Sequence, residues 1–303
     1  MKIGAYIKSM RLRTLPLSLA GVIAGIFLSI SHASECGGSV GWGTIVFLVL
    51  TTVFLQILSN LSNELGDTLS GTDTADRQGI HYAMQDGEMT IDQMKRLIKV
   101  IACSCLISGV IMIYLSFGTL IAVQPVVLML LGASAVWAAV RYTLGHNPYG
   151  YRGLGDVFVF IFFGLVSVIG AFYVCSHTLS LALTALPGVA IGLFSMGVLN
   201  VNNIRDMKTD AATRVTVALK MGLKRARVYH TFLICGGCVA MVVQTLLYGH
   251  GIWAWLFIVS YPLLGLHLKG VWTRVDRQLD PMLPMLVMST FLLSVLYGVG
   301  LVI

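Results

Sequence analysis

Charge is scarce in this chain. Its 303 residues hold 20 Lys and Arg and 13 Asp and Glu, 11% charged against 57% hydrophobic, with a mean hydropathy of +0.86. That balance excludes an ordinary soluble domain. Strict polar–apolar alternation is absent, which excludes an outer-membrane barrel. There are seven prolines, so long helical runs go mostly uninterrupted. No surface of interleaved basic and aromatic residues exists to bind nucleic acid, despite the net charge of +7. The DG…AR…G…D…D run of membrane phosphatidyl-transfer enzymes is missing too. Six cysteines form no framework. Cys235 and Cys238 make a CxxC inside an apolar run, where packing is the expected role. Cys103 and Cys105 project to different sides of one helix, and nothing requires Cys36 and Cys175 to pair.

What the chain does have is apolar length. A bilayer core takes about 20 apolar residues per helix. Nine runs qualify, at 15–32, 42–62, 100–118, 122–140, 154–175, 179–199, 228–248, 251–268 and 282–303. The expectation is an all-α polytopic membrane protein, residues 1–303 forming one transmembrane domain. With the N-terminus placed in the cytoplasm, every Lys and Arg falls in the N-terminal arm or in an inward connection. That predicts a cytoplasmic-membrane protein with its N-terminus inside. The basic arm and first run look like a signal peptide, but the run is long and no small-x-small site follows. It reads as an uncleaved first span, and Arg11 and Arg13 read as anchors at its inner end.

The polar residues left inside this apolar chain gather in two places. The stretch 60–77 reads NLSNELGDTLSGTDTADR, and 202–214 reads NNIRDMKTDAATR. Asn63 and Asp67 stand one helical turn apart, as do Asn202 and Asp206. Asp73 and Asp210 follow. Both sets end spans that run inward, 139 residues apart. This predicts a parallel internal repeat about an axis along the membrane normal, with the site between the halves. Carboxylates at a membrane edge are costly unless a cation needs them. Asn63, Asp67, Asp73, Asn202, Asp206 and Asp210 are therefore expected to hold Mg2+ ions, which take oxygen ligands and share them with phosphates. Arg77, Arg205, Lys208 and Arg214 would add positive charge for a diphosphate. Gly66 and Gly71 would let the backbone bend or approach a ligand closely. A cation-coupled transporter also places acids and repeats in membranes, but its acids belong near the midplane.

A third polar stretch, RYTLGHNPYGYRGLGD at 141–156, opens the fifth span. Its turn residues and tyrosines suit an interfacial loop. Arg141, Tyr142, Tyr149 and Arg152 are candidates to bind an aromatic acceptor. Asp156 is the candidate proton acceptor, and Arg141 and Arg152 are its nearest charged partners in sequence. Asp276 and Asp280 read as solvated pairs with Arg274 and Arg277.

These motifs carry a family resemblance. RLRTLP at 11–16, QILSNLSNELGDTLSGTD at 56–73, NPYGYRGLGDVFVFIFFG at 147–164 and NNIRDMKTD at 202–210 resemble the UbiA-type intramembrane prenyltransferases. Within them the match is to the branch acting on 1,4-dihydroxy-2-naphthoate in menaquinone synthesis. The resemblance implies nine transmembrane helices around a central cavity. It implies transfer of a polyprenyl group from its diphosphate to the naphthoate, with loss of diphosphate and CO2. Asp67 and Asp206 would be catalytic through bound Mg2+, the cofactor, beside Asp156 as the candidate base; the same chemistry on 4-hydroxybenzoate or another phenol is the near alternative. Glu64 stands where the family usually has Asp, and Thr213-Arg214 where it usually has Gly-Lys.

Overall fold

The computed structural model describes residues 3–71, 82–146, 148–211 and 215–303, the side chains of Ile3 and Tyr149 excepted. Among them there is no strand, only an isolated bridge between Arg152 and Val215. A short helix α1 (Ile3–Met10) and a 3-10 turn (Leu12–Thr14) precede the first long helix, α2 (Leu15–Glu35). Then come α3 (Trp42–Leu69), α4 (Ile91–Phe117) and α5 (Val123–Arg141). The fifth span is one rod of α6 (Gly155–Val159), a π-helical turn (Phe160–Val166) and α7 (Ser167–Ser176). After it follow α8 (Leu181–Arg205), the short α9 (Met207–Asp210) and α10 (Val217–Met221), and α11 (Leu223–Tyr248). A 3-10 stretch (Trp253–Ser260) leads into α12 (Tyr261–Thr273), and α13 (Met282–Val302) ends the chain. Nine helices among the described residues are long and apolar enough to cross a membrane.

The spans agree with the apolar runs in number and order, and differ at their ends. The third begins at Ile91 rather than 100, because Thr90 and Gln93 form a reciprocal capping box there. The second continues to Leu69, the sixth to Arg205, and the seventh starts at Leu223, ahead of Lys224, Arg225 and Arg227. Helices run on past the apolar slab, since charged residues with straight side chains are good helix formers.

The centre of the bundle is α2, which packs on α3, α7, α8 and α13. Lipid is as apolar as leucine, so close van der Waals fit and small residues hold such helices together. Where the π-helical turn crosses α8, a Cβ on Gly164 would lie 2.5 Å from the Gly188 carbonyl oxygen and 2.6 Å from the Gly192 Cα. Only glycine permits that approach. Fully buried Phe172, Phe194 and Phe257 fill the core around α2. The rim faces outward, with Leu130, Leu131 and Trp137 of α5 exposed as lipid contacts.

Helices α3 and α8, the second and sixth spans, run the same way and end at the same end of the bundle. The segment 149–156 joins those ends. The backbone N–H of Val215, beyond α8, donates to the Tyr151 carbonyl at 3.0 Å. The Tyr151 hydroxyl donates to Asp67 Oδ1, on α3, at 2.8 Å.

Candidate diphosphate and acceptor site

The last turns of α3 carry two polar faces. Asn60 and Glu64 turn toward the N-terminal arm. Asn60 Nδ2 donates to the Met10 carbonyl and to Thr14 Oγ1, both at 2.9 Å. Fully buried Glu64 accepts from Ser9 Oγ at 3.2 Å and from the Met84 backbone N–H at 2.9 Å. The residue departing from the family pattern is thus tied into the fold, pinning α1 and the segment after 82 to α3. Lys8 of the same arm pairs with Asp86.

Asn63 and Asp67 turn the other way, toward the loop 142–151. Thr143 Oγ1 lies 2.8 Å from the Ser62 carbonyl and 3.2 Å from Asn63 Oδ1, one proton shared between two acceptors. Asp67 is only 3% exposed and takes the Tyr151 hydroxyl, which also meets Ser70 Oγ at 3.1 Å. Gly66 does serve a close approach, but to protein rather than to a ligand. A Cβ there would stand 2.5 Å from Thr143 Cβ and 2.6 Å from its carbonyl oxygen. Gly66→Ala is therefore expected to cost about 1–3 kcal/mol of stability, the usual penalty for overpacking. A lowered midpoint of thermal unfolding in detergent would show it, and an unchanged midpoint would mean the loop gives way freely.

At the end of α8 an arginine dominates. Arg205 is 6% exposed and Asp206 1%. Arg205 Nε donates to Asp206 Oδ1 at 2.8 Å, and Nη2 donates to Asp206 Oδ2 at 2.7 Å and to Asn202 Oδ1 at 2.9 Å. Nη1 reaches Asp280 Oδ1 at 3.0 Å. Arg205, expected on the diphosphate, here holds the acidic motif together through Asp206 and Asn202. It is the side chain next to Asp206 and buried with it, so it neutralises a charge that would otherwise be isolated. Lys208, expected beside it on the diphosphate, is exposed and pairs with Asp276 at 2.7 Å. Asp276 and Asp280 thus reach the second motif, through Lys208 and Arg205. Asp210 is buried, one turn beyond Asp206.

In the third stretch Asp156 is 6% exposed in the first turn of α6. Neither expected arginine serves it. Arg141 Nη2 donates to the His146 carbonyl in its own loop, and the Arg152 side chain is exposed. The partner is Tyr229 of α11, whose hydroxyl donates to Asp156 Oδ1 at 3.1 Å. Tyr142 caps the same corner. A Cβ on Gly155 would lie 2.7 Å from its hydroxyl, and its carbonyl accepts from the Gly150 N–H at 2.9 Å. Asp73, Arg77 and Arg214 lie outside the described residues, as does the Tyr149 side chain.

The polar side chains of both motifs are well suited to Mg2+. They offer carboxylate and amide oxygens, with no thiolate or imidazole among them, which selects hard divalent cations. Among the described residues no three His, Cys, Asp or Glu side chains converge on one point.

Fold and site together define a class: a polytopic helical membrane protein carrying two acid–amide motifs at one end of the bundle, bridged by a tyrosine-rich loop. The chain belongs to the UbiA prenyltransferase family, whose family pattern matches residues 22–295. It is 36% identical to the 1,4-dihydroxy-2-naphthoate octaprenyltransferase of Escherichia coli (strain K12) over 98% of this chain and 94% of that one. To the protein of the same description in Haemophilus influenzae it is 32% identical, over 100% and 97%. Among solved structures, its fold is similar to a UbiA homolog from Aeropyrum pernix K1, with TM-score 0.70, 16% identity and coverage of 96% and 98%. A UbiA homolog from Archaeoglobus fulgidus bound to DMAPP and Mg2+ gives 0.68 at 13% identity, covering 98% and 99%.

Proposed function

We propose that this chain transfers a polyprenyl group from polyprenyl diphosphate to 1,4-dihydroxy-2-naphthoate, releasing diphosphate and CO2. The relatives that match over nearly its whole length are described as acting on that acceptor. The observation that carries the reading is the 149–156 segment. It places Tyr151 on the Asp67 carboxylate and Asp156 five residues away, and its backbone pairs with Val215 beyond α8.

Asn63, Asp67 and Asp73 would hold one Mg2+ and Asn202, Asp206 and Asp210 the other, in line with the Mg2+ described in the Archaeoglobus fulgidus homolog. Bound there, the ions would neutralise diphosphate as the leaving group. The chain's own residues do the rest. Tyr151 orients the Asp67 carboxylate, and Arg205 holds Asp206 and Asn202 in register. Arg77 and Arg214 are placed by the sequence to bind diphosphate oxygens. Tyr142, Tyr149, Arg141 and Arg152 belong to the loop that would receive the acceptor. Its walls and the apolar bundle keep water from the allylic cation. Asp156 takes the acceptor's hydroxyl proton while the new carbon–carbon bond forms. The electron pair left by departing CO2 restores the ring, and the proton is returned, so the base is regenerated with no net proton released.

In this reading the N-terminus and the site lie on the cytoplasmic side of the inner membrane, which the distribution of basic residues supports. The test is an acceptor assay with purified protein, Mg2+ and a polyprenyl diphosphate. The naphthoate should yield prenylated product and CO2 in equal amounts. Turnover of 4-hydroxybenzoate or another non-decarboxylating phenol, with none of the naphthoate, would assign the chain to that acceptor instead.

A further inference from the structure

We infer that Tyr229 is a positioning residue for the acceptor-side base: its phenol holds Oδ1 of Asp156, leaving Oδ2 as the oxygen that takes the acceptor's proton. The inference rests on the reading of Asp156 given above.

The geometry is specific. A carboxylate buried at a membrane edge needs a partner. Here no arginine of its own loop supplies one, and the donor is Tyr229, 73 residues along the chain, at 3.1 Å. Moreover, the rotation of α11 is locked so that Tyr229 must point there. Arg227, His230 and Thr231 share one face of the helix, at i, i+3 and i+4, and all three are anchored to α12 or its end. Arg227 Nη2 donates to the Arg274 carbonyl at 2.6 Å. His230 and His267, both fully buried, meet through their Nε2 atoms at 2.8 Å. Thr231 Oγ1 accepts from Trp272 Nε1 at 2.9 Å. At about 100° per residue, Tyr229 lies off that face, turned toward α6.

A neutral donor suits the task better than a cation would. An arginine on Asp156 would grip both oxygens, as Arg205 does with Asp206, and its positive charge would favour the anion, which suits a metal ligand better than a proton acceptor. One phenol O–H engages Oδ1 and leaves Oδ2 without a side-chain donor from Tyr229. In the step itself, the acceptor O–H bond breaks, its proton passes to Oδ2, and the electron pair goes into the ring that attacks the prenyl carbon. The allylic C–O bond breaks toward diphosphate.

The experiment compares Tyr229→Phe, Asp156→Asn and the double variant in the full chain, in detergent with Mg2+. Phenylalanine removes one oxygen from a half-buried ring and leaves the α11–α12 anchors untouched, so the variant folds. Its kcat for naphthoate prenylation is expected to fall about 10- to 100-fold, part of what general-base catalysis supplies. KM for acceptor and prenyl diphosphate should stay within about twofold, because neither contact is removed. Diphosphate release without acceptor should not change. The double variant should be no slower than Asp156→Asn alone, since Tyr229 acts through that carboxylate. An acceptor whose hydroxyl is already ionised at the assay pH should be insensitive to Tyr229→Phe.

A wild-type kcat in Tyr229→Phe would overturn the inference, as would losses that multiply in the double variant. If the wild type turns over another phenol and not the naphthoate, the substrate reading fails alone, and the same comparisons on that phenol decide Tyr229.

Discussion

Asp67→Asn is expected to abolish Mg2+-dependent diphosphate release to within background while the protein still folds. Asparagine keeps the shape and an acceptor oxygen for the Tyr151 hydroxyl, so the seam between α3 and the 149–151 turn survives. What disappears is the negative charge that draws a divalent cation to the end of α3. Removing one preorganised electrostatic group from a site that stabilises developing charge costs about 100- to 1,000-fold. A leaving diphosphate carries more charge than an oxyanion, so the loss should reach the upper end of that range. Asp206→Asn should lose activity to a similar extent for the same reason. It should also lose stability, which Asp67→Asn should not, because its amide nitrogen would face the Arg205 guanidinium. Diphosphate release with a coupled assay, beside thermal unfolding in detergent, separates these outcomes. Activity within a few-fold of wild type in both variants would end the metal reading of the two motifs.

The class of fold was legible in the chain because membrane spans are announced by length and apolarity, two properties that need no tertiary context. The amide–acid spacing was legible too, since Asn63 with Asp67 and Asn202 with Asp206 show a helical turn in sequence alone. What the chain concealed is partner choice. Asn60 and Glu64 look like members of the same stripe as Asn63 and Asp67. Yet the first two turn to the N-terminal arm and the second two to the 142–151 loop. A 3.6-residue period marks which residues are near one another on a helix but not which neighbour each one meets. Tyr229 was invisible for a related reason. In KRARVYHTF it sits among topology-setting basic residues, and its significance arises only when α12 locks the rotation of α11. Arg205 was read by charge as a phosphate ligand. Burial adds a role that charge alone did not reveal, because a guanidinium 6% exposed next to a carboxylate 1% exposed neutralises that carboxylate.

That pairing yields the second large effect. Arg205→Ala should destabilise the protein by about 3–5 kcal/mol, the range for removing one partner of a buried ion pair. The expected loss comes mainly from Asp206, left charged and buried, and from Asn202, whose oxygen loses its donor. Asp280 contributes little, since its side chain is 39% exposed and solvent screens it. Arg205→Lys should recover only part of the loss, as one ammonium cannot make a bidentate contact while reaching two further oxygens. The decisive comparison is with Arg205→Met/Asp206→Leu, which removes both charges. It should be more stable than Arg205→Ala although inactive, because the cost lies in orphaning a charge and not in losing an attraction. Mg2+ adds an independent check. If Asp206 binds the ion, then Mg2+ neutralises the orphaned carboxylate, and a ligand that binds only the folded state raises its apparent stability. Mg2+ should therefore stabilise Arg205→Ala more than it stabilises the wild type, and should not stabilise the double variant through this site. Equal shifts in all three proteins would show that the ion binds elsewhere, and that the clamp on Asp206 serves the fold alone.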